Sequence, residues 1–222
     1  MKYLKMLGLA VVAAAALMAF VGAGTASAKE GVLCSTTSNP CNSKWAVNTV
    51  LDFSLKSGSS AKLVNKANGE TLDTCTGTGT TVLGDLTANP DATGTATGKI
   101  TKLIWEKCTF PTTTVAGSEG ALKVERIAGT SNGTVRSDAE TRVTINTILF
   151  GTCVYGVKAG AHLGVITEGK ASPEVPTATF KAEGAEAERL TGSQAVCPEK
   201  SLWTAEYVLT TPEKTTLSVS SS

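Results

Sequence analysis

Two apolar runs, each carrying a cysteine among bulky side chains, constrain this chain more than any other feature. The first is Leu103-Ile104-Trp105-Glu106-Lys107-Cys108-Thr109-Phe110, and the second is Ile148-Leu149-Phe150-Gly151-Thr152-Cys153-Val154-Tyr155. Each has the length and the bulky apolar content of a buried strand. Each also carries a sulfur that can be tied to a neighbouring strand. They predict the two central strands of an all-β domain. The runs align at an offset of 45 residues, but Cys197 falls one residue out of step and its flanks lack the aromatics. Two strands under the same packing demand explain the match better than an internal duplication does.

The N-terminus predicts export. Lys2 and Lys5 precede an apolar stretch, Met6 to Val21, and Ala26-Ser27-Ala28 supplies small residues at a cleavage position. That is the layout of a secretory signal peptide over residues 1–28. The apolar stretch falls short of the roughly 20 residues a membrane span needs. Cleavage after Ala28 leaves residues 29–222, expected to form one all-β domain with 18 basic and 19 acidic residues. A chain of that size buries roughly 70% of its unfolded surface without help from cross-links. Near-neutral charge without a basic run argues against nucleic acid as a partner, and nothing after Ala28 approaches transmembrane length.

All six cysteines, Cys34, Cys41, Cys75, Cys108, Cys153 and Cys197, fall after the cleavage position. An even number in an exported chain reads as disulfides, with the pairing left open by sequence. Order along the chain favours Cys34 with Cys41, Cys75 with Cys108, and Cys153 with Cys197. The first pair closes a short loop containing Asn39-Pro40, and the others link segments far apart. No C-x-x-C occurs and His162 is the only histidine, so no structural zinc is expected, nor any cofactor.

The remaining pattern is of short strands. Leu51, Phe53 and Leu55 alternate with Asp52, Ser54 and Lys56, and Trp203, Ala205, Tyr207 and Leu209 alternate with Thr204, Glu206 and Thr210. Asn68-Gly69 predicts a hairpin turn, and Asn132-Gly133 the tip of another. Residues 77–98, rich in threonine and glycine, read as edge strands and loops. Over Lys181–Leu190 helical composition competes with strand; Gly184 and the Ala/Glu alternation favour strand. Many short strands with frequent turns predict a two-sheet β-sandwich, with a β-barrel as the alternative.

The order of Leu33-Cys34, Asn39-Pro40-Cys41, the lone Cys75 before a glycine/threonine stretch, the apolar run into Cys108, and Cys197-Pro198 ahead of Trp203-Thr204-Ala205-Glu206-Tyr207 resembles a group of uncharacterised small exported, disulfide-containing bacterial proteins of actinobacterial type. The resemblance covers most of the chain after residue 28. It implies a secreted, disulfide-linked protein and supplies no catalytic residues.

Motifs with catalytic potential are weak. Gly129-Thr130-Ser131-Asn132-Gly133 matches G-x-S-x-G, yet a strand follows it where the hydrolase elbow needs a helix. Ser59-Ser60-Ala61-Lys62 lacks the companions of a serine–lysine hydrolase. His162, between glycines, reads as a solvated turn residue and is the only imidazole available as a base. Acid pairs drawn from Glu106, Glu125, Glu168, Glu183, Glu186 and Glu188 would make a glycosidase the enzymatic alternative. Asp85, Asn89 and Asp91 offer oxygen ligands without EF-hand spacing. Trp45, beside a disulfide loop and a polar segment, is the candidate ligand contact. The expectation is a non-enzymatic binding or structural module, secreted or held in the cell envelope, its partner a cell-envelope polysaccharide or a protein. The alternatives are the extracellular glycosidase and a purely structural surface protein.

Overall fold

The computed structural model describes residues 30–90, 94–109, 114–147, 150–170, 177–210 and 216–221. The signal-peptide region, Asp91, Phe110 and Ile148-Leu149 lie outside them. Among the described residues there are fourteen strands and no helix. They are β1 (Val32–Cys34), β2 (Val50–Leu55), β3 (Ala61–Asn65), β4 (Thr71–Cys75), β5 (Thr81–Ala88), β6 (Ala96–Ile104) and β7 (Thr114–Arg126). These are followed by β8 (Gly133–Ser137), β9 (Thr141–Thr147), β10 (Gly151–Val157), β11 (His162–Lys170), β12 (Thr177–Arg189), β13 (Lys200–Thr210) and β14 (Ser218–Ser220).

The sheet closes on itself. Running β13-β2-β5-β6-β7-β8-β11-β12 and back to β13, eight antiparallel strands form a barrel. The all-β expectation holds, but the two-sheet sandwich gives way to the barrel. The threonine/glycine-rich segment is corrected with it: β5 is paired on both sides, by β2 and β6, and lies within the wall. Threonine suits a pleated surface, and the bulges at Leu83/Gly84 and Leu86/Ala88 bend this part of the wall, as closure demands.

Three long strands build the rest. β7 pairs with β9 through its first half and with β8 through its second. β13 pairs with β3 and then with β2, while β12 pairs with β11 and then with β10. At one end of the molecule the wall therefore forks, and β3, β4, β9 and β10 surround a second, smaller core that contains Leu63, Ile145, Cys153, Tyr155 and Cys197. The larger core, with Leu86, Ile166, Phe180, Tyr207 and Leu209, fills the other end.

β12 shows how the fork is made. Its buried residues run Ala178, Phe180, Ala182 and then shift to Ala185 and Ala187, because the register slips between Ala182 and Ala185. Gly184 takes up the slip at φ +67°, a conformation that costs glycine little. The strand reading of this segment is right, and its mixed periodicity is the bulge. The first apolar run is shorter as a strand than it reads, since β6 ends at Ile104. Beyond it Glu106, Lys107 and Thr109 hydrogen-bond along the edge of β4.

The other end of the barrel is plugged by the chain's ends. β1 and β14 pair with each other in a separate two-stranded sheet, and Leu33, Leu217 and Val219 enter the larger core. The plug is pinned by bonds from Val219 N to Ser131 O (2.9 Å) and from Gly169 N to Leu217 O (3.1 Å). Asn39, in the Cys34–Cys41 loop, accepts hydrogen bonds from the Ser220 and Ser221 hydroxyls.

The disulfides join Cys34 to Cys41, Cys75 to Cys108 and Cys153 to Cys197, the connectivity that order along the chain favours. They close loops with separations of 7, 33 and 44 residues. Loop-closure entropy then ranks their contributions at about 2, about 4 and about 4 kcal/mol. Replacing each pair by alanine and measuring urea unfolding is expected to cost least at Cys34–Cys41 and about equally more at Cys75–Cys108 and Cys153–Cys197. Equal losses at all three would show that loop entropy does not govern.

Candidate functional site

An eight-stranded barrel is just wide enough for its inward side chains to fill it, or to leave room for one small ligand. Here it leaves room. The interior holds a cavity of about 150 Å³ with almost wholly apolar walls, including Leu51, Val82, Ile100, Leu122, Val135 and Ile166. The space arises where inward positions carry small residues: Ala185 and Ala187 on β12, and Gly84 and Gly98 on β5 and β6, all line it. At about 24 cal/mol per Å³, leaving such a volume empty costs about 3–4 kcal/mol, a sizeable part of a domain's stability. Cavities of this size and polarity stay dry and admit benzene-sized molecules.

Behind the apolar wall lie three buried polar atoms. The indole nitrogens of Trp105 and Trp203 and the hydroxyl of Tyr155 are buried with no hydrogen-bond partner among the described residues, and all three residues line the cavity. Tyr155 is 1% exposed and belongs to the smaller core. Trp105 and Trp203 each pack against both cores, so the three polar groups lie toward the forked end of the barrel. Trp203 is held by aromatic neighbours: Phe180 at 6.1 Å and Tyr207 at 6.0 Å between ring centroids. Phe180 in turn meets Phe53 edge-on at 5.9 Å. Contacts of this kind fix ring orientation, so the Trp203 ring is held in place. Burial pushes the Tyr155 hydroxyl up to about 12, against a smaller downward pull from Arg189. It remains a neutral O–H donor throughout the physiological range.

The residues singled out from sequence lie elsewhere. Trp45, the candidate ligand contact, is 6% exposed and packed in the larger core, so it offers no exposed aromatic face. Its carbonyl accepts from Asn89 Nδ2 at 2.9 Å. Asn89 also bonds both backbone groups of Leu33, which commits its side chain to fastening the plug rather than to a calcium ion. His162 is exposed at the start of β11. Gly129 and Thr130 occupy the β7–β8 turn, and Gly133 already belongs to β8, so Ser131 sits in a hairpin and its carbonyl receives Val219. Asp73 lies beside Cys75 and Cys108, whose sulfurs are joined to each other and are not thiolate ligands.

Glu186 and Glu188 of the candidate acids lie on the outer face. Glu186 and Glu188 alternate with the inward Ala185 and Ala187 and meet a row of lysines. Lys200 Nζ lies 2.7 Å from Glu186 and 3.3 Å from Glu188, Lys158 lies 2.8 Å from Glu188, and Lys66 pairs with Glu186. Hydrogen bonds from Lys200 and then Lys66 hold Glu186 down to about 2. A general acid at neutral pH needs the opposite shift. Glu125 is likewise paired, with Arg136 at 3.0 Å and Lys123 at 3.4 Å.

Tyr155 is buried in the core, and Trp105 and Trp203, half-buried, pack against it; what sequence reading misses is the space beside them. The available signal was the run of alanines alternating with glutamates on β12, too small to meet the aromatics across a barrel. Compared with known protein families, curated proteins and solved structures, the chain matches none of them.

A buried hydroxyl without a partner costs about 1–3 kcal/mol, so Tyr155→Phe is expected to raise the unfolding free energy of the unliganded protein by about 1 kcal/mol. Ionisation gives a second test. An unfolded tyrosine loses its proton near pH 10, whereas Tyr155 and Tyr207, both raised by burial, keep theirs to higher pH. Above about pH 10 the unfolded state binds fewer protons, so stability present below that point falls as pH rises toward about 12. Urea titrations at about pH 9 and about pH 11 should show this loss, made smaller by Tyr155→Phe; an unchanged midpoint would contradict it.

Proposed function

We propose that the protein is a non-enzymatic binding module of the cell exterior, released or held in the envelope, that takes one small apolar molecule into its barrel. The observation that carries this reading is the apolar cavity in the middle of a closed, cross-linked wall. A chain of this size has enough apolar residues to fill its interior, and alanine and glycine at facing inward positions leave it unfilled at a cost that a bound molecule would offset. Three disulfides support an oxidising compartment. They also hold the forked end and the plug, so the cavity is largely formed in advance, as small-molecule sites usually are.

The outer surface supports this reading over a polysaccharide platform. Such a platform needs exposed aromatics. Among the described residues the large exposed hydrophobics are Val47, Val50 and Val196, scattered valines that make no stacking surface. The lysine-paired outer carboxylates give no support to the acid-pair glycosidase.

The test is to fill the cavity genetically and chemically. Ala185→Leu places a larger side chain where Ala185 lines the void. It is expected to raise the thermal midpoint, where an overpacked core would lose about 1–3 kcal/mol. Saturating ethylbenzene, followed by differential scanning calorimetry, is expected to raise the midpoint of the parent protein and to leave that of Ala185→Leu unmoved. A destabilised Ala185→Leu together with no ethylbenzene shift in the parent protein would overturn the reading.

A further inference from the structure

We propose that residues 105–109 form a strap along one side of the barrel cavity, latched by the Cys75–Cys108 bond, and that the ligand enters and leaves where this strap lifts. The proposal rests on the binding of an apolar molecule in the barrel and specifies its route.

The wall of the cavity is built from strands with one exception. Every residue that lines it belongs to a strand except Trp105, which follows the end of β6. The reason lies in the β6–β7 ladder. That ladder runs from Ala96 opposite Val124 to Ile100 opposite Gly120, and beyond it β7 pairs with β9 instead. Among the described residues, 101–104 keep a ladder with β5 alone. The seam starts beside the cavity, since Ile100 and Leu103 of β6 and Thr141 and Val143 of β9 all line it.

After β6 the chain crosses to β4. Gly77 N donates to Glu106 O at 2.9 Å and Thr109 N to Thr74 O at 2.8 Å, while Glu106 N donates to the buried Thr80 Oγ1 at 2.9 Å. Cys75 and Cys108 face each other across this edge and are bonded. Gly77 is the seat of the strap. A Cβ there would stand 2.6 Å from Glu106 Cβ and 2.8 Å from its carbonyl oxygen, so only glycine lets the two backbones lie this close.

On the cavity side the strap is held by packing. The Trp105 indole nitrogen has no hydrogen-bond partner among the described residues. Lys107 sits at φ +50°, a left-handed conformation that residues other than glycine rarely adopt. A short segment with few backbone bonds, strained at one residue and fastened by one covalent tie, opens at lower free energy than a strand paired on both edges. Entry elsewhere would part a continuous ladder, such as β12 on β13. Entry here lifts five residues.

Two variants loosen the strap and leave the ring intact. Cys75→Ala/Cys108→Ala removes the latch, and Gly77→Ala pushes Glu106 off its seat with the latch kept. Cys153→Ala/Cys197→Ala is the control, because loop entropy ranks its loss of stability with that of the latch. Each is checked for folding by near-ultraviolet circular dichroism, and exchange of ethylbenzene is followed by nuclear magnetic resonance. Both strap variants are expected to exchange it about tenfold faster than the parent protein, the effect of about 1.4 kcal/mol less free energy of opening. The control should exchange it at close to the parent rate. Amide hydrogen exchange of the parent protein tests the strap without a ligand: the Gly77 and Thr109 amides should exchange faster than those of the β12–β13 ladder. Equal acceleration in the control and the strap variants would overturn the strap and assign exchange to general loosening. Protection of Gly77 and Thr109 equal to that of β12 and β13 would overturn it too. Failure of the parent protein to bind ethylbenzene would overturn the cavity reading, and the route with it.

Discussion

A ring of strands that closes on itself has no free edge, and nearly everything else in this protein depends on the closure of its eight-stranded ring. Each strand of an open sheet's border presents unpaired N–H and C=O groups that invite another chain. Within the eight-stranded ring the return of β12 onto β13 satisfies both. Closure also fixes an interior whose width follows from strand number and tilt rather than from the side chains within it. Side chains can then fill the space or fail to, without the wall collapsing to follow them. A cavity that a packed two-layer core would squeeze shut can persist in a barrel, because shrinking it would break a ring of backbone hydrogen bonds.

The two ends of the barrel are finished by different means. At one, the first and last strands of the described chain lie together as a plug, fastened by the Cys34–Cys41 loop, Asn39 and Asn89. At the other, the long strands exchange neighbours and a second core forms around the Cys153–Cys197 bond. Tyr155 lies in this second core, and Trp105 and Trp203 pack against both cores. Register slips such as the one at Gly184 are what let one continuous strand serve both, since a single extra residue reverses which side chains face inward.

Much of this was legible beforehand. The alternation at Leu51–Leu55 and Trp203–Leu209 and the Asn68-Gly69 turn report local demands that neighbouring residues reveal. Closure is a different kind of property. Whether a run of short antiparallel strands ends as two facing sheets or one ring depends on which distant strand meets the last free edge. Here that edge is met by β12 and β13, read from sequence as separate short segments. The threonine- and glycine-rich β5 was misplaced at an edge for the same reason: its composition is that of a strand poor in apolar mass, and only the ring gives it two neighbours. The cavity was invisible because it is a deficit. Ala185 and Ala187 look like ordinary small core residues until the aromatics that fail to reach them are known.

The pairing of β1 with β14, and the central place of β13 between β2, β3 and β12, bear on how the chain comes to be folded. On a chain that emerges from its N-terminus, β2 and β3 find one partner nearby, in β5 and β4, but the partner of their other edge lies more than a hundred residues away. Until β13 arrives, one edge of each stays open. Contacts of such sequence separation form slowly, and open strand edges are prone to wrong pairing while they wait. Assembly is therefore an event of the finished chain. Of the three cross-links, only the short Cys34–Cys41 loop joins residues close enough to be set early.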